Sequence, residues 1–398
     1  MAEKFEYNVC VVGGAGHVGF PLAVALASRG LKVAIYDIDG AAIERISSGR
    51  APFLEPGVEG PLRDALAVGV LTTHVDPEVI GNSENVIVVV GTPVDQYMSP
   101  DPEAVPRAVG SMLGHLRPGQ LLILRSTVFP GVTRRVERLL DPSVGVDLAF
   151  CPERIAEGHA MTELFTLPQL VASRSERARE RASRLFSELA PIIIELEPEE
   201  AELAKLFTNS WRYIKFAAAN QFFMTANDLG VDFTRIRDAM MLDYPRAADF
   251  PAAGFAAGPC LFKDTMQLAS VTGGTFALGH SAMLVNEGLP DYIVRRMEST
   301  YDLNNMTVGI LGMAFKAESD DRRSSLSYRL KRVLGFRAGR VIATDPYVND
   351  DPDLVSLEMV LEQSDIVVIG APHNMYRAVQ VDCPIVDIWD LRGGGTLI

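Results

Sequence analysis

The sequence predicts an α/β protein in three parts: a parallel sheet, a helical middle, and a second, smaller parallel sheet. Three observations predict it. Short β-branched runs alternate with helical patterns up to about residue 200; one helical segment of about 30 residues then follows without Pro or Gly; the alternation resumes after about residue 303.

The strand runs of the first region are Val9-Cys10-Val11-Val12, Lys32-Val33-Ala34-Ile35-Tyr36, Val86 to Val90 and Leu121-Leu122-Ile123-Leu124. Asp147-Leu148-Ala149-Phe150, Gln169-Leu170-Val171-Ala172 and Ile192-Ile193-Ile194 can extend them. Continuous apolar strands separated by helices mean a parallel sheet buried on both faces. That defines a first domain over 1–200. From Glu199 to about Leu229 the chain reads as one helix of roughly 45 Å at 1.5 Å per residue. A small domain does not need such length, so the helix is expected to bridge two domains and to offer a face to a second subunit. Helical patterns continue to about Tyr301, giving a central domain over 201–302. The runs at 307–311, 340–343, 365–369 and 385–388 then form a smaller sheet in a domain over 303–398. The fold class is therefore two Rossmann-like parallel-sheet domains joined by a long central helix and a helical dimerisation domain. Gly393-Gly394-Gly395 is expected to mark a frayed end.

Composition excludes several classes of function. A chain of 398 residues with 48% hydrophobic residues is globular and large enough to bury its cores without disulfide or metal staples. The net charge of −14 argues against gripping nucleic acid or an anionic membrane through a bulk positive field. Cys10, Cys151, Cys260 and Cys383 lie far apart with no CxxC or metal-type spacing, which fits a reducing compartment and no metal site. Met1 to Glu6 mixes charges where a signal peptide needs a basic start and an apolar run. The longest apolar runs are strand-length, far short of the roughly 20 residues that span a bilayer. A cytoplasmic protein is expected.

Gly14-Ala15-Gly16-His17-Val18-Gly19 follows the first strand and opens a helix expected over Pro21 to Arg29. In that context the glycines allow a tight turn and close approach of backbone N–H groups to a pyrophosphate at the positive end of a helix. His17 and Val18 fill the loop's variable positions, His17 as a spacer. Asp37 ends the second strand, 18 residues beyond Gly19, where a carboxylate accepts from a ribose 2′-hydroxyl and repels a 2′-phosphate. NAD is therefore expected over NADP.

Cys260 lies in a small-residue loop just before a helical pattern, with Lys263 nearby. Thiols at helix N-termini near a cation lose their proton more readily. An isolated cysteine is more often a small buried hydrophobe, the reading adopted for Cys10, Cys151 and Cys383. Lys205 and Asn209, four apart on the long helix, share a face suited to holding an alkoxide or a water. Glu153 and Glu157 follow a strand end, where ligand sites of α/β proteins gather. No one of these residues identifies a reaction.

Together they resemble the UDP-glucose/GDP-mannose dehydrogenase family, the nucleotide-sugar 6-dehydrogenases. The motifs, in order, are Gly14-x-Gly16-x-x-Gly19, Gly91-Thr92-Pro93, Ser126-Thr127-Val128-Phe129-Pro130-Gly131, Pro152-Glu153-Arg154, Lys205-x-x-x-Asn209 and Gly258-Pro259-Cys260-Leu261-Phe262-Lys263-Asp264. Phe315-Lys316, Asp321-Arg322-Arg323-Ser324-Ser325 and Asp345-Pro346 complete the set, so the resemblance covers nearly the whole chain.

The resemblance implies an NAD-binding domain, a central dimerisation domain and a C-terminal domain for the nucleotide of the sugar. It implies four-electron oxidation of the sugar C6 alcohol to a carboxylate through a Cys thiohemiacetal and thioester, which holds an aldehyde that would otherwise hydrate or escape. By position, Cys260 is the implied nucleophile; Lys205 and Asn209 stabilise the oxyanion; Asp264 and Thr127 position water; Glu153 is the base or water-orienting carboxylate, with Glu157 a secondary candidate. Thr92, Pro93, Ser126, Thr127 and Lys263 join the cofactor contacts, and Lys263 lowers the thiol pKa or meets substrate. Arg154 and Phe255 line the substrate site; Lys316 and Arg323 meet the diphosphate or uridine; Arg246 reaches into the site of a second subunit of a homodimer or larger homo-oligomer.

Three departures matter. Ala257-Gly258 followed by Pro259 stands where the family pairs glycines, narrowing the loop before the cysteine. Pro152-Glu153-Arg154-Ile155 and Val386-Asp387-Ile388-Trp389 look like the N-acetylhexosamine branch, whereas Cys260-Leu261-Phe262-Lys263-Asp264 looks like the UDP-glucose branch. The short stretch after Trp389 leads one to expect shortened final nucleotide-binding elements. Two other readings remain open: a two-electron β-hydroxyacid-type dehydrogenase, and a non-catalytic NAD-binding scaffold.

Overall fold

The computed structural model describes residues 5–398 apart from 93, 96–99, 141–144, 257 and 274. The chain forms two compact units, Met1–Phe207 and Thr208–Ile398.

In the first unit the chain runs β1 (Tyr7–Val12), α1 (Gly19–Ser28), β2 (Val33–Tyr36), α2 (Gly40–Ser47), α3 (Glu59–Val68), β3 (Leu71–His74), α4 (Glu78–Gly81) and β4 (Ser83–Val88). It continues with α5 (Ala104–Met112), β5 (Leu121–Leu124), α6 (Val132–Leu139), β6 (Asp147–Phe150), α7 (Ala160–Thr166), β7 (Gln169–Ala172), α8 (Glu176–Phe186) and β8 (Ile193–Leu196). The eight strands are ordered β3-β2-β1-β4-β5-β6-β7-β8. Strand periodicity explains why the runs are continuously apolar. Val9 and Val11 of β1 enter one core with Ile87, Leu121 and Ile123, while Cys10 and Val12 enter the other with Val86, Val88, Leu122 and Leu124. Both faces are covered by helices, and α1 is buried from Gly19 to Ala27. Pro21, in its first turn, has no intrahelical N–H bond to lose.

Two features of this sheet differ from expectation. β3 carries only one buried apolar residue, Leu71, so its sequence shows no strand pattern. β7 pairs antiparallel with β6 through Phe150 and Ala172. Between them the chain is held along the strand ends: Glu55 accepts from the Gly158 and Ala160 N–H groups at 2.8 and 3.0 Å, and Arg154 reaches the Pro168 carbonyl.

α9 (Pro198–Asp228) is the expected long helix; its 31 residues begin in the first unit and end in the second. The second unit continues with α10 (Phe233–Met241), α11 (Leu261–Val271), α12 (Ala277–Glu298), β9 (Thr307–Leu311), α13 (Leu326–Leu334), β10 (Arg340–Thr344), α14 (Leu357–Gln363), β11 (Ile366–Ile369) and β12 (Ile385–Val386). Its four strands are parallel in the order β10-β9-β11-β12. Phe223 of α9, Leu289 and Ile293 of α12, Val308 and Ile310 of β9, and Leu330 of α13 share one core. The helical middle and the second sheet are thus packed as one body.

The expectation of a frayed end at Gly393-Gly394-Gly395 is wrong. Asp232, which caps α10 by accepting from the Thr234 N–H, also accepts from the Thr396 N–H at 3.0 Å and its hydroxyl at 3.1 Å. Asp390 accepts from the Gly395 N–H, and Asn227 accepts from the Ile398 N–H. Triple glycine supplies no side chain to pack, but the Gly393 and Gly395 N–H groups both donate to Asp390. Asp232→Ala should cost about 1–2 kcal/mol of stability, the range of a lost cap, and expose the tail. Urea unfolding with limited proteolysis checks this; an unchanged tail cleavage rate would contradict it.

Candidate active site

The order of the first sheet reverses at β1 and β4, where open α/β sheets bind ligands beyond the carboxyl ends of the strands. Loops after both strands carry expected residues. A Cβ on Gly14 would stand 2.7 Å from the Val11 carbonyl oxygen and 2.9 Å from Ile35, whereas a Cβ on Gly16 would meet only the Gly13 carbonyl at 3.5 Å. The loop is therefore tight toward the sheet and open at Gly16, the cradle a pyrophosphate needs. Val18 immediately precedes α1, whose N-terminus is the positive end of its dipole. Asp37 follows β2, and its two oxygens accept from the Ala15 and Asp39 N–H groups at 3.0 and 3.1 Å. It braces the glycine loop.

His17 is more than a spacer. Its ring stacks on Phe53 with centroids 3.9 Å apart, and its Nδ1 lies 3.6 Å from Glu157. After β4, the Thr92 hydroxyl donates to the Thr127 carbonyl at 2.8 Å, and Ser126 both accepts from the Val90 N–H and donates to the Val90 carbonyl. These bonds lock the loops that follow β4 and β5. Pro93 lies outside the described residues.

Glu153 is buried, with one oxygen on the guanidinium of Arg125 and the other accepting from the Arg154 and Ile155 N–H groups at 2.6 and 3.0 Å. The Arg125-bound oxygen retains a second lone pair for a water, whereas the other oxygen is filled by its two backbone donors. Burial lowers the pKa of the Arg154 guanidinium below its usual value.

In the second unit, Cys260 is exposed and immediately precedes α11. The other three thiols are built differently. Burial pushes Cys10 and Cys151 up to about 12 and raises Cys383, so they stay protonated, as the sequence predicts. Gly258 has φ +100°, and a Cβ there would stand 2.6 Å from the Phe315 ring. Only glycine lets this loop lie on Phe315 and donate to the Ser324 carbonyl. Phe255 packs edge-on against Trp389, whose indole N–H donates to the Ile369 carbonyl. The loop before the thiol is thus seated on the second sheet.

Asp264, in the first turn of α11, is buried, and the Asn209 side-chain amide donates to it at 2.6 Å. Lys263 lies 3.1 Å from the other oxygen of the same carboxylate. Lys205 is also buried, one turn before Asn209 on α9. The expected cations sit on the surface or in loops. Lys316 lies over the Phe315 ring, Arg323 forks onto Asp321 with its side chain 53% exposed, and Arg246 reaches the Tyr244 hydroxyl at 3.3 Å.

Two buried charged residues in this region carry no motif signature. Arg125 is one. The other is Glu202, one turn before Lys205, which accepts from the Gly131 and Thr133 N–H groups and the Thr133 hydroxyl at 2.6–2.8 Å. It caps α6 and anchors the start of α9; only its place three residues before Lys205 could have pointed to it.

Comparison with known proteins matches three successive segments of the chain. The NAD-binding domain of the UDP-glucose/GDP-mannose dehydrogenase family matches residues 7–190, its central domain 199–287 and its UDP-binding domain 309–389. A UDP-N-acetyl-D-mannosamine dehydrogenase from Pyrococcus horikoshii is 30% identical over 92% of this chain and 90% of its own. The solved structure of UDP-D-ManNAc dehydrogenase from that organism has a TM-score of 0.88 at 28% identity, covering 96% of this chain and 95% of the other. A UDP-glucose dehydrogenase structure from Pyrobaculum islandicum has the same TM-score at 29% identity, covering 97% and 95%. Glycine cradle, acidic brace, buried Lys and Asn, and exposed thiol therefore have a common context: the chain belongs to the UDP-glucose/GDP-mannose dehydrogenase family and is an NAD-dependent nucleotide-sugar dehydrogenase.

Proposed function

We propose that this enzyme carries out the four-electron oxidation of C6 of a UDP-N-acetylhexosamine, of the UDP-N-acetylmannosamine type, to the uronic acid through a covalent Cys260 adduct. The observation that carries the proposal is the contrast among the thiols: Cys260 alone of the four is exposed, and it stands at the head of α11. NAD supplies the hydride acceptor for both oxidations. The protein's own work lies between them. The Sγ of Cys260 adds to the C6 aldehyde, trapping it as a thiohemiacetal before it can hydrate or escape. Lys205 and Asn209 hold the oxygen that carries negative charge. After the second oxidation the adduct is a thioester; water adds to its carbonyl, the C–S bond breaks, and the thiolate leaves as the carboxylate forms. One alcohol, one water and two NAD⁺ give one carboxylate, two NADH and three protons.

Asp264 and Thr127 place that water, Glu153 orients it through the remaining lone pair of its Arg125-bound oxygen, and Glu157 with His17 borders the same loop. Lys263 acts through Asp264. Arg154 and Phe255 contact the sugar nucleotide, Lys316 and Arg323 take its diphosphate or uridine, and Arg246 serves a second copy in a homodimer. Domain limits at 1–200, 201–302 and 303–398 follow the same division of labour. Four cysteines with no disulfide fit a cytoplasmic setting; no helix among the described residues is long and apolar enough to cross a membrane.

The choice of sugar is supported by the Pro152-Glu153-Arg154-Ile155 segment and by the name of the Pyrococcus relative. A screen of NADH formation should give a higher kcat/KM for UDP-N-acetylmannosamine than for UDP-glucose, GDP-mannose or dTDP-glucose, with two NADH per sugar consumed. A preference for UDP-glucose would reassign the sugar, and one NADH with a stable ketone or aldehyde would sink the four-electron reading in favour of β-hydroxyacid-type chemistry. Cys260→Ser should stop or stall acid formation, by on the order of 10³-fold or more; undiminished steady-state acid would exclude the thioester. Light scattering at micromolar concentration should report at least a dimer, and a monomer would contradict the role given to Arg246.

A further inference from the structure

Arg125 lies just beyond β5 and is 1% exposed. An arginine stays charged when buried, so it must be compensated, and its planar fork fixes the direction of whatever compensates it. One terminal nitrogen donates to the Cys151 carbonyl at 3.0 Å and to the Gln169 side-chain oxygen at 3.1 Å; the other binds Glu153. Phe186 covers the guanidinium at 4.8 Å, and the cavity beside the pair is only about 10 Å³. Arg125 has nowhere else to go.

Backbone bonds extend the grip. The Cys151 N–H donates to the Leu124 carbonyl and the Glu153 N–H to the Arg125 carbonyl, while Glu153 itself accepts from the next two N–H groups. Thr127 stands two residues beyond Arg125 on the same loop, with its carbonyl held by Thr92. One buried cation therefore joins the strand end leading to Thr127 with the loop carrying Glu153, and holds the Glu153 carboxylate in a single orientation.

We propose that Arg125 is a positioning residue for the hydrolytic half of the reaction, setting the Glu153 carboxylate that orients water toward the thioester. This rests on the reading of Glu153 given above. Misplacing such a group by about 1 Å costs on the order of 100-fold. The loss should fall on thioester hydrolysis and spare both oxidations.

The test compares wild type, Arg125→Lys, Gln169→Leu and Glu153→Gln in rapid-mix experiments with the best sugar nucleotide from the screen and saturating NAD. NADH bursts and quenched intact mass are recorded, with thermal melts as the control for folding. Arg125→Lys keeps the charge and loses the fork; it should give a burst of two NADH per site, a steady-state rate lower by about 10- to 100-fold, a covalent adduct, and a KM that falls with the rate, leaving kcat/KM within about twofold of wild type. Gln169→Leu leaves the ion pair intact and should shift in the same direction by a smaller factor, keeping the test alive if Arg125→Lys does not fold. Adduct accumulation in Glu153→Gln with none in the folded Arg125 or Gln169 variants would overturn the role of Arg125. No adduct in Glu153→Gln, with its rate lowered, would overturn the role of Glu153 and the proposal resting on it.

Discussion

The hydrogen bond from Asn209 to Asp264, 2.6 Å long and buried, is the constraint on which the chemistry of the second unit depends. It ties the long helix to the first turn of the helix that Cys260 precedes. A carboxylate with no solvent exposure tolerates little rearrangement, because losing the Asn209 bond leaves a buried oxygen without its donor. Thiol, carboxylate and amide are thereby fixed on rigid helices, and the loop before the thiol is seated on Phe315 and Trp389.

The two sheets share a device that composition alone does not reveal. After β2, Asp37 accepts from the Ala15 N–H of the loop following β1; after β10, Asp345 accepts from the Met313 and Ala314 N–H groups of the loop following β9. In the second unit the device is reinforced. Fully buried His373 lies 3.0 Å from the same Asp345 oxygen through Nε2, and its Nδ1 accepts from the Glu318 N–H. With Nδ1 accepting, Nε2 is the nitrogen that donates to Asp345. Burial alone would raise the pKa of Asp345, but the bonds from His373 and the backbone hold it below its usual value. The first loop is thus braced from one side with Gly16 open, whereas the second is sealed by a buried hydrogen-bond network.

Much of this was legible because it follows from periodicity and loop chemistry. Uniformly apolar strands such as Leu121 to Leu124 announce a sheet covered twice, and the glycine loop announces its ligand because a tight turn, an open approach and a helix start are local demands. Cys260 stood out through its loop. β3 was illegible because Leu71 is its only buried apolar residue, and the tethered tail because its partners, Asp232 and Asn227, are more than 160 residues away in sequence. Arg125 and Glu202 were missed for a related reason. Their roles come from what they touch, Glu153 and Gln169 for one, Gly131 and Thr133 for the other, and a lone charge in a sequence reads as surface until burial is known. Stacking of His17 on Phe53 is likewise tertiary information.

A net charge of −14 and an anionic substrate are compatible because a few placed cations can hold an anion without a positive bulk field. What remains decisive is the covalent bond. Wild-type enzyme quenched during steady turnover with sugar nucleotide and NAD, digested and mapped by mass spectrometry, tests it directly. An acyl sugar nucleotide on the peptide containing Cys260 is the predicted result; acid accumulating with that peptide unmodified throughout turnover would contradict it.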